Sequence, residues 1–192
     1  MSESEFRFRE GSSADLPSLA RLEGSFSDEW VLYLEQEGGP IEQTVTRRWR
    51  KTKPDGSRQD LRMDLEELAT ELDRSERLII AEHDGRIAGY LMLKTNWNRT
   101  TEIAVVIVDL AYRRRGLGRL FLQASESYAR ERSLRAIQWE AQTDNRNAIE
   151  FAISHGFRIA GYHDALYHNR GFERQNAGDF RGLAIFLTRE LD

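Results

Sequence analysis

Val106-Ile107-Val108-Asp109-Leu110-Ala111-Tyr112-Arg113-Arg114-Arg115-Gly116-Leu117-Gly118-Arg119 is the stretch on which the reading of this chain turns. The almost unbroken β-branched run from Ile103 to Leu110 suits a strand buried on both faces. A short turn follows and opens an amphipathic helix from Gly116 to about Arg132, with Leu117, Leu120, Phe121, Ala124 and Tyr128 inward. At such a helix start, free backbone N–H groups and the helix dipole favour an anion. Gly116 and Gly118 carry no Cβ, so a diphosphate can approach the backbone closely. Arg113, Arg114, Arg115 and Arg119 add positive charge. No Gly-Lys-Ser/Thr follows, so the turn is not a P-loop, and its spacing is not that of the dinucleotide-binding GxGxxG turn. On physical grounds two readings stay open: a site for a diphosphate-bearing cofactor, and a structural strand-to-helix turn with solvated arginines.

Downstream, Ala136–Trp139 reads as a strand and Asn145–His155 as a helix closed by Gly156 at C′. Phe157–Tyr162 and Leu183–Thr188 read as further strands. Upstream, Leu78–Ala81 and Ile87–Leu93 form a hairpin through Asp84-Gly85. A helix is expected from about Asp64 to Asp73, with Leu65, Leu68, Ala69 and Leu72 on one face. Glu5–Glu10 alternates Phe6 and Phe8 with charge, as a half-buried strand does. Ser12 to Asp15 offer helix-capping chemistry ahead of Leu16, Leu19, Ala20 and Leu22. Between them lie the apolar run Trp30–Leu34, closed by Gly38-Gly39-Pro40, the basic cluster Arg47-Arg48-Trp49-Arg50-Lys51, and the turn Pro54-Asp55-Gly56. Antiparallel hairpins followed by strand-helix-strand-helix-strand give a mixed α/β (α+β) sheet in one domain spanning 1–192.

The chain has 192 residues, 40% hydrophobic and 31% charged, with a formal net charge of -4. That charge gives no global reason to bind nucleic acid or an anionic membrane. The basic cluster reads as a solvated strand or loop with one buried tryptophan. The absence of cysteine removes disulfides, thiolate catalysis and Cys-based zinc sites. Four histidines scattered without ligand spacing argue for no metal. The first residues lack an apolar leader segment, and no apolar run approaches the ~20 residues of a membrane span. A cytoplasmic location is expected.

Val108, Tyr112, Arg113, Gly116 and Gly118 make R-x-x-G-x-G after a V-x-x-x-[YF] strand end, which resembles the coenzyme-A signature of the GNAT superfamily. Asn145-Arg146-Asn147-Ala148-Ile149-Glu150-Phe151-Ala152-Ile153-Ser154-His155-Gly156-Phe157 resembles that superfamily's second signature, N-x-x-A-x-x-F-Y-x-x-x-G-F. The resemblance runs from about Leu78 to Tyr162. Trp97-Asn98, the pattern Glu140-x-Gln142-x-x-Asn145-x-x-Ala148, and Gly161 followed by Tyr167 resemble its streptothricin acetyltransferase branch.

The resemblance implies an N-acetyltransferase with acetyl-CoA as co-substrate. Its sheet is mostly antiparallel, twisted and flanked by helices, and a splayed parallel strand pair forms the coenzyme-A cleft. About 1–75 would supply acceptor-side elements, about 76–162 the coenzyme-A core, and about 163–192 the C-terminal strands. A backbone N–H around Val106 would polarise the thioester carbonyl. Backbone groups at Ile107 and Val108 would pair with the pantetheine arm, which Asn145 would also reach. Arg113 and the amides from Arg114 through Arg115, Gly116, Leu117 and Gly118 to Arg119 would hold the pyrophosphate. A primary amine of a small molecule or peptide would attack the thioester directly in a ternary complex. Glu102, eleven positions before Arg113, is the expected general base, with Glu140 second. The signature's tyrosine falls on Ala152, which has no proton to give. Tyr162, Tyr167 or His155 would then serve as acid, or the thiolate leaves unassisted, or the chain is an acetyl-CoA-binding sensor or interaction module with weak catalysis. Many superfamily members are dimers, so a homodimer is expected.

Overall fold

Phe6 and Phe8 alternate with charged residues, and the first strand, β1, forms over Arg7–Glu10. The computed structural model describes residues 5–39, 41–51, 58–59, 61–163, 166 and 183–191. After β1 come a 3-10 turn at Ser13–Asp15, α1 (Leu16–Leu19), β2 (Phe26–Ser27), β3 (Trp30–Gly38), β4 (Gln43–Lys51) and β5 (Arg58–Gln59). Then follow α2 (Leu65–Arg74), β6 (Arg77–His83), β7 (Arg86–Thr95), β8 (Thr100–Val108) and a 3-10 turn at Leu110–Tyr112. The chain continues through α3 (Leu117–Glu131), β9 (Ala136–Gln142), α4 (Arg146–Ser154), β10 (Arg158–His163) and β11 (Ala184–Glu190). The class is the expected one: a mixed α/β fold whose strands pair mostly antiparallel. No helix among the described residues is long and apolar enough to cross a membrane. The Pro54-Asp55-Gly56 turn lies outside the described residues.

Two compact units organise these elements: residues 1–25, 60–139 and 189–192 make the first, residues 26–59 and 140–188 the second. In the first, the strand order is β1-β6-β7-β8-β9, antiparallel except for the parallel pair β8–β9. Asp84 and Gly85, both at positive φ, make the tight turn between β6 and β7. One face of the sheet is covered by α1 and α2, and its core joins Leu16, Leu19 and Leu68 to Ile80, Tyr90, Met92 and Ile107. Asp64 caps α2, its Oδ1 accepting from Glu66 and Glu67 N–H at 2.9 Å each.

The other face carries α3, which packs on β7 and β8. Of its expected inward stripe, Leu117, Phe121 and Tyr128 are buried, while Leu120 and Ala124 are only half-buried; Leu122, Ser125 and Ala129 complete the buried side. Gly89 is what lets the first turns of α3 lie close. A Cβ there would stand 2.5 Å from Ile107 O, 3.2 Å from Phe121 and 3.3 Å from Leu117.

Strand β8 departs from the expected burial on both faces: Ala104, Val105, Val106 and Val108 are half-buried. Its pairing explains this. The parallel register joins Thr100–Ile103 to Ala136–Trp139 and stops there. Against β7, Ile103 faces Leu93 and Val105 faces Met92, so Ala104 is an extra residue, a β-bulge. From the bulge onward β8 has a registered partner on β7 only, among the described residues.

In the second unit, β3 and β4 make a nine-pair antiparallel ribbon, and β2–β5 and β10–β11 make two shorter antiparallel pairs. The basic cluster forms β4. Part of its charge is met across the ribbon: Arg48 and Arg50 both pair with Glu35, and Lys51 pairs with Glu29 at 2.6 Å. Trp49 is half-buried rather than buried. Helix α4 opens on Asn145, whose Oδ1 accepts Ala148 N–H at 3.1 Å. It closes with Gly156 at φ 86°, Gly156 N–H donating to Ile153 O and Phe157 N–H to Ala152 O at 3.1 Å each. That double closure satisfies two end carbonyls, as the glycine at C′ predicts.

Candidate active site

Asp109 builds the turn after β8. Its Oδ1 accepts Ala111 N–H at 3.0 Å, its Oδ2 accepts Glu23 N–H at 2.9 Å, and Leu110 N–H returns a bond to Glu23 O at 2.9 Å. One carboxylate thus caps the 3-10 turn and ties it to the segment after α1. Arg113 Nε donates to Val108 O at 3.2 Å, folding the turn back onto the strand end. Arg114 and Gly116 then take left-handed φ values of 62° and 83°.

Helix α3 starts without a capping side chain, whereas α2 and α4 spend Asp64 and Asn145 on their first turns. The N–H groups of Leu117, Gly118 and Arg119 therefore have no acceptor within the helix and none from a cap. A Cβ placed on Gly116 would meet no atom within 4 Å. An open helix start with unspent donors fits the phosphate oxygens of a diphosphate. The turn's arginines divide. Arg114 and Arg119 are exposed and Arg113 is half-buried. Arg115 is engaged: Nε and Nη2 donate to the two Glu5 oxygens at 2.9 and 2.8 Å, and Nη2 lies 3.1 Å from His83 Nε2. Its guanidinium also lies over the Phe6 and Tyr112 rings at 5.6 and 5.5 Å. Donation by Arg115 holds the Glu5 carboxyl below its ordinary range. The sequence displayed the charge of Arg115 but not this partner, 110 positions away.

Glu102 stands near the other end of β8, about 13 Å from Val106 at the usual strand rise. Its Oε1 is 2.9 Å from Lys94 Nζ, directly across the ladder, and its Oε2 accepts from Asn96 Nδ2 at 3.0 Å. Asn96 Nδ2 also reaches Gln138 Oε1 at 3.2 Å, to which Thr100 Oγ1 donates at 3.0 Å. Lys94, Asn96 and Gln138 were missed in the sequence, because only the register brings them to Glu102. The bulge matters here. Glu102 shares a face with Lys94, Met92 and Tyr90, Val106 the opposite one with Leu91, so the two side chains project to opposite sides.

The second unit holds the remaining candidates. Asn145 spends its side-chain oxygen on the helix cap and keeps its amide N–H groups as donors. Ala152 is fully buried. His155, the C-cap of α4, lies against Phe151 with its Nδ1 2.8 Å from Phe151 O, as its expected place at the helix end implies. Tyr162 is half-buried on β10, opposite Ile185. Glu140 is half-buried on β9. Tyr167 lies outside the described residues.

Residues 41–157 match the acetyltransferase (GNAT) family. Streptothricin acetyltransferase of Streptomyces lavendulae is 27% identical over 179 residues, covering 91% of this chain and 93% of that protein. Streptothricin acetyltransferase A of Bacillus subtilis (strain 168) is 30% identical over 81 residues, 42% of this chain and 47% of that one. Among solved structures, nourseothricin acetyltransferase superposes with a TM-score of 0.78 at 22% identity, over 98% of this chain and 99% of its own. A protein of Bacillus anthracis str. Ames, provisionally described as a streptothricin acetyltransferase and solved in complex with acetyl coenzyme A, superposes with a TM-score of 0.74 at 21% identity, over 97% and 99%. These structural likenesses show a shared fold.

Proposed function

The chain belongs to the acetyltransferase (GNAT) family, and on that premise we propose that it moves the acetyl group of acetyl-CoA to a primary amine of a small molecule or peptide by direct attack. The observation that carries this reading is the uncapped, open start of α3 behind Gly116, set at the end of a strand whose parallel pairing has already ceased. The amides of Arg114 to Arg119 hold the pyrophosphate, with Arg113 bracing the turn through Val108 O. The backbone of Val106, Ile107 and Val108 binds the pantetheine arm and polarises the thioester carbonyl. Asn145 adds an amide donor from α4.

Glu102 accepts, through a chain of water, the proton that the amine loses. The nitrogen lone pair forms the new N–C bond, the C–S bond breaks with its electron pair on sulfur, and one proton reaches the thiolate, so amine and thioester become amide and thiol. Ala152 supplies no proton; Tyr162 or Tyr167 takes that part, or solvent does. Relatives named for streptothricin make that compound the first acceptor to try. The family match runs through residues of both units, which supports 1–192 as one domain. Buried Ala152 favours a second reading, an acetyl-CoA sensor with weak catalysis.

Calorimetric titration with acetyl-CoA, followed by thiol-release assays with streptothricin and a panel of amines, tests both. Binding with thiol release only when an amine is present is the expected result. Binding without release on any amine favours the sensor, and no binding sinks the proposal. An isosteric pair tests the turn itself. Asn tolerates left-handed φ, so Gly116→Asn should keep most affinity, while Gly116→Asp, the same shape with a negative charge, should lose at least about tenfold. Equal affinities would remove the diphosphate from this turn.

A further inference from the structure

Arg146 is the first residue of α4, where a cation opposes the helix dipole. The dipole therefore does not explain its place, and the i,i+4 pair with Glu150 is only part of what does. Three groups hold it there. Nε donates to Glu150 Oε1 at 2.7 Å, one turn on, and the guanidinium lies 5.4 Å from the Trp30 ring centre and 5.3 Å from that of Trp49. The ribbon's register sets Trp30 opposite Lys51 and Trp49 opposite Leu32, so the two indoles are diagonal neighbours on one face. That face also carries buried Leu32 and Leu34, and β3 packs on α4. A planar guanidinium stacks on aromatic faces as an ammonium cannot. The residue before it, Asn145, is the helix cap.

We propose that Trp30, Trp49 and Arg146 form a positioning clamp: two indoles of the β3–β4 ribbon grip the guanidinium, fix the first turn of α4, and so set the orientation of Asn145 toward acetyl-CoA. None of the three is a catalytic residue; each acts through Asn145. The clamp rests on the acetyl-CoA reading above. It makes cofactor affinity depend on tryptophans that lie well before the coenzyme-A turn in the sequence.

The test is a double-mutant cycle in acetyl-CoA affinity, with thermal unfolding followed in parallel. Arg146→Met and Trp49→Leu should each weaken binding about tenfold. The double variant should be no weaker than the worse single one, because both remove the same interaction. Trp49→Phe, which keeps a ring, should recover most of the affinity. Should Trp49→Leu fail to fold, Trp30→Leu completes the same cycle. A wild-type chain that does not bind acetyl-CoA overturns the functional reading itself. Wild-type binding with variants within about twofold of it, or with losses that multiply in the double variant, overturns the clamp alone.

Discussion

At Glu102 two neighbours divide one carboxylate: Lys94 takes one oxygen and Asn96 the other. Glu102→Gln keeps the shape and removes the charge, so turnover at neutral pH should fall about 100-fold while acetyl-CoA affinity holds. Unchanged turnover would leave Glu102 as a cross-strand ion pair only. Tyr128 offers a second reading at this scale. Its buried hydroxyl donates to Glu76 Oε2 at 2.7 Å and lies 3.0 Å from Thr95 Oγ1. That donation is the main cause holding the Glu76 carboxyl below its ordinary range. A depressed carboxyl contributes stability above its unfolded pKa, about 4.3, and loses it as pH falls through the lower folded value. Tyr128→Phe should therefore cost about 1 kcal/mol at pH 7, the figure for a bond to a charged group discounted for half-exposed Glu76. Thermal unfolding should show the gap to wild type closing below pH 4. Side-chain chemistry of this kind was legible in sequence as residue type and not as partner: Glu5 with Arg115, Lys94 with Glu102 and Tyr128 with Glu76 are all set by the fold.

Elements were more legible than their pairing. The strand, turn and helix around Gly116 could be read because an apolar run, a glycine pair and a 3.6-residue stripe sit in order. The bulge at Ala104 could not. Every position from Ile103 to Val108 is apolar, so no polar alternation marks where the phase of the strand changes. The ribbon was half-read for a related reason. The cluster from Arg47 to Lys51 looks like free positive charge until register brings Glu35 and Glu29 across from it. Gly89 belongs to this scale because it joins three elements. Gly89→Ala would press a Cβ against Ile107 O, a backbone atom that cannot swing aside, and should cost about 1–3 kcal/mol. Urea unfolding measures it; an unchanged midpoint would mean that β8 and α3 give way around residue 89 without loss.

For the whole molecule, the order of elements settled the class, because hairpins followed by alternating strands and helices have few packed solutions. Long-range closures were beyond it. β1 finds β6 some seventy residues on, pairing Arg7 with Glu82, and no local pattern encodes that. The chain also leaves the first unit after Ser25 and enters it again at Asp60, so contiguous sequence is not contiguous structure. The acceptor was illegible for another reason: specificity rests on pocket shape, which composition and net charge do not describe. The bulge carries a last consequence, for how such a sequence can change over generations. Exchanging one side chain in β8 alters one contact. Losing or gaining a residue between Glu102 and Val106 would turn every later side chain of the strand over, carrying the core of one face onto the other. Mutation is therefore free to respell this stretch, but its length is inherited as a fixed reading frame in space.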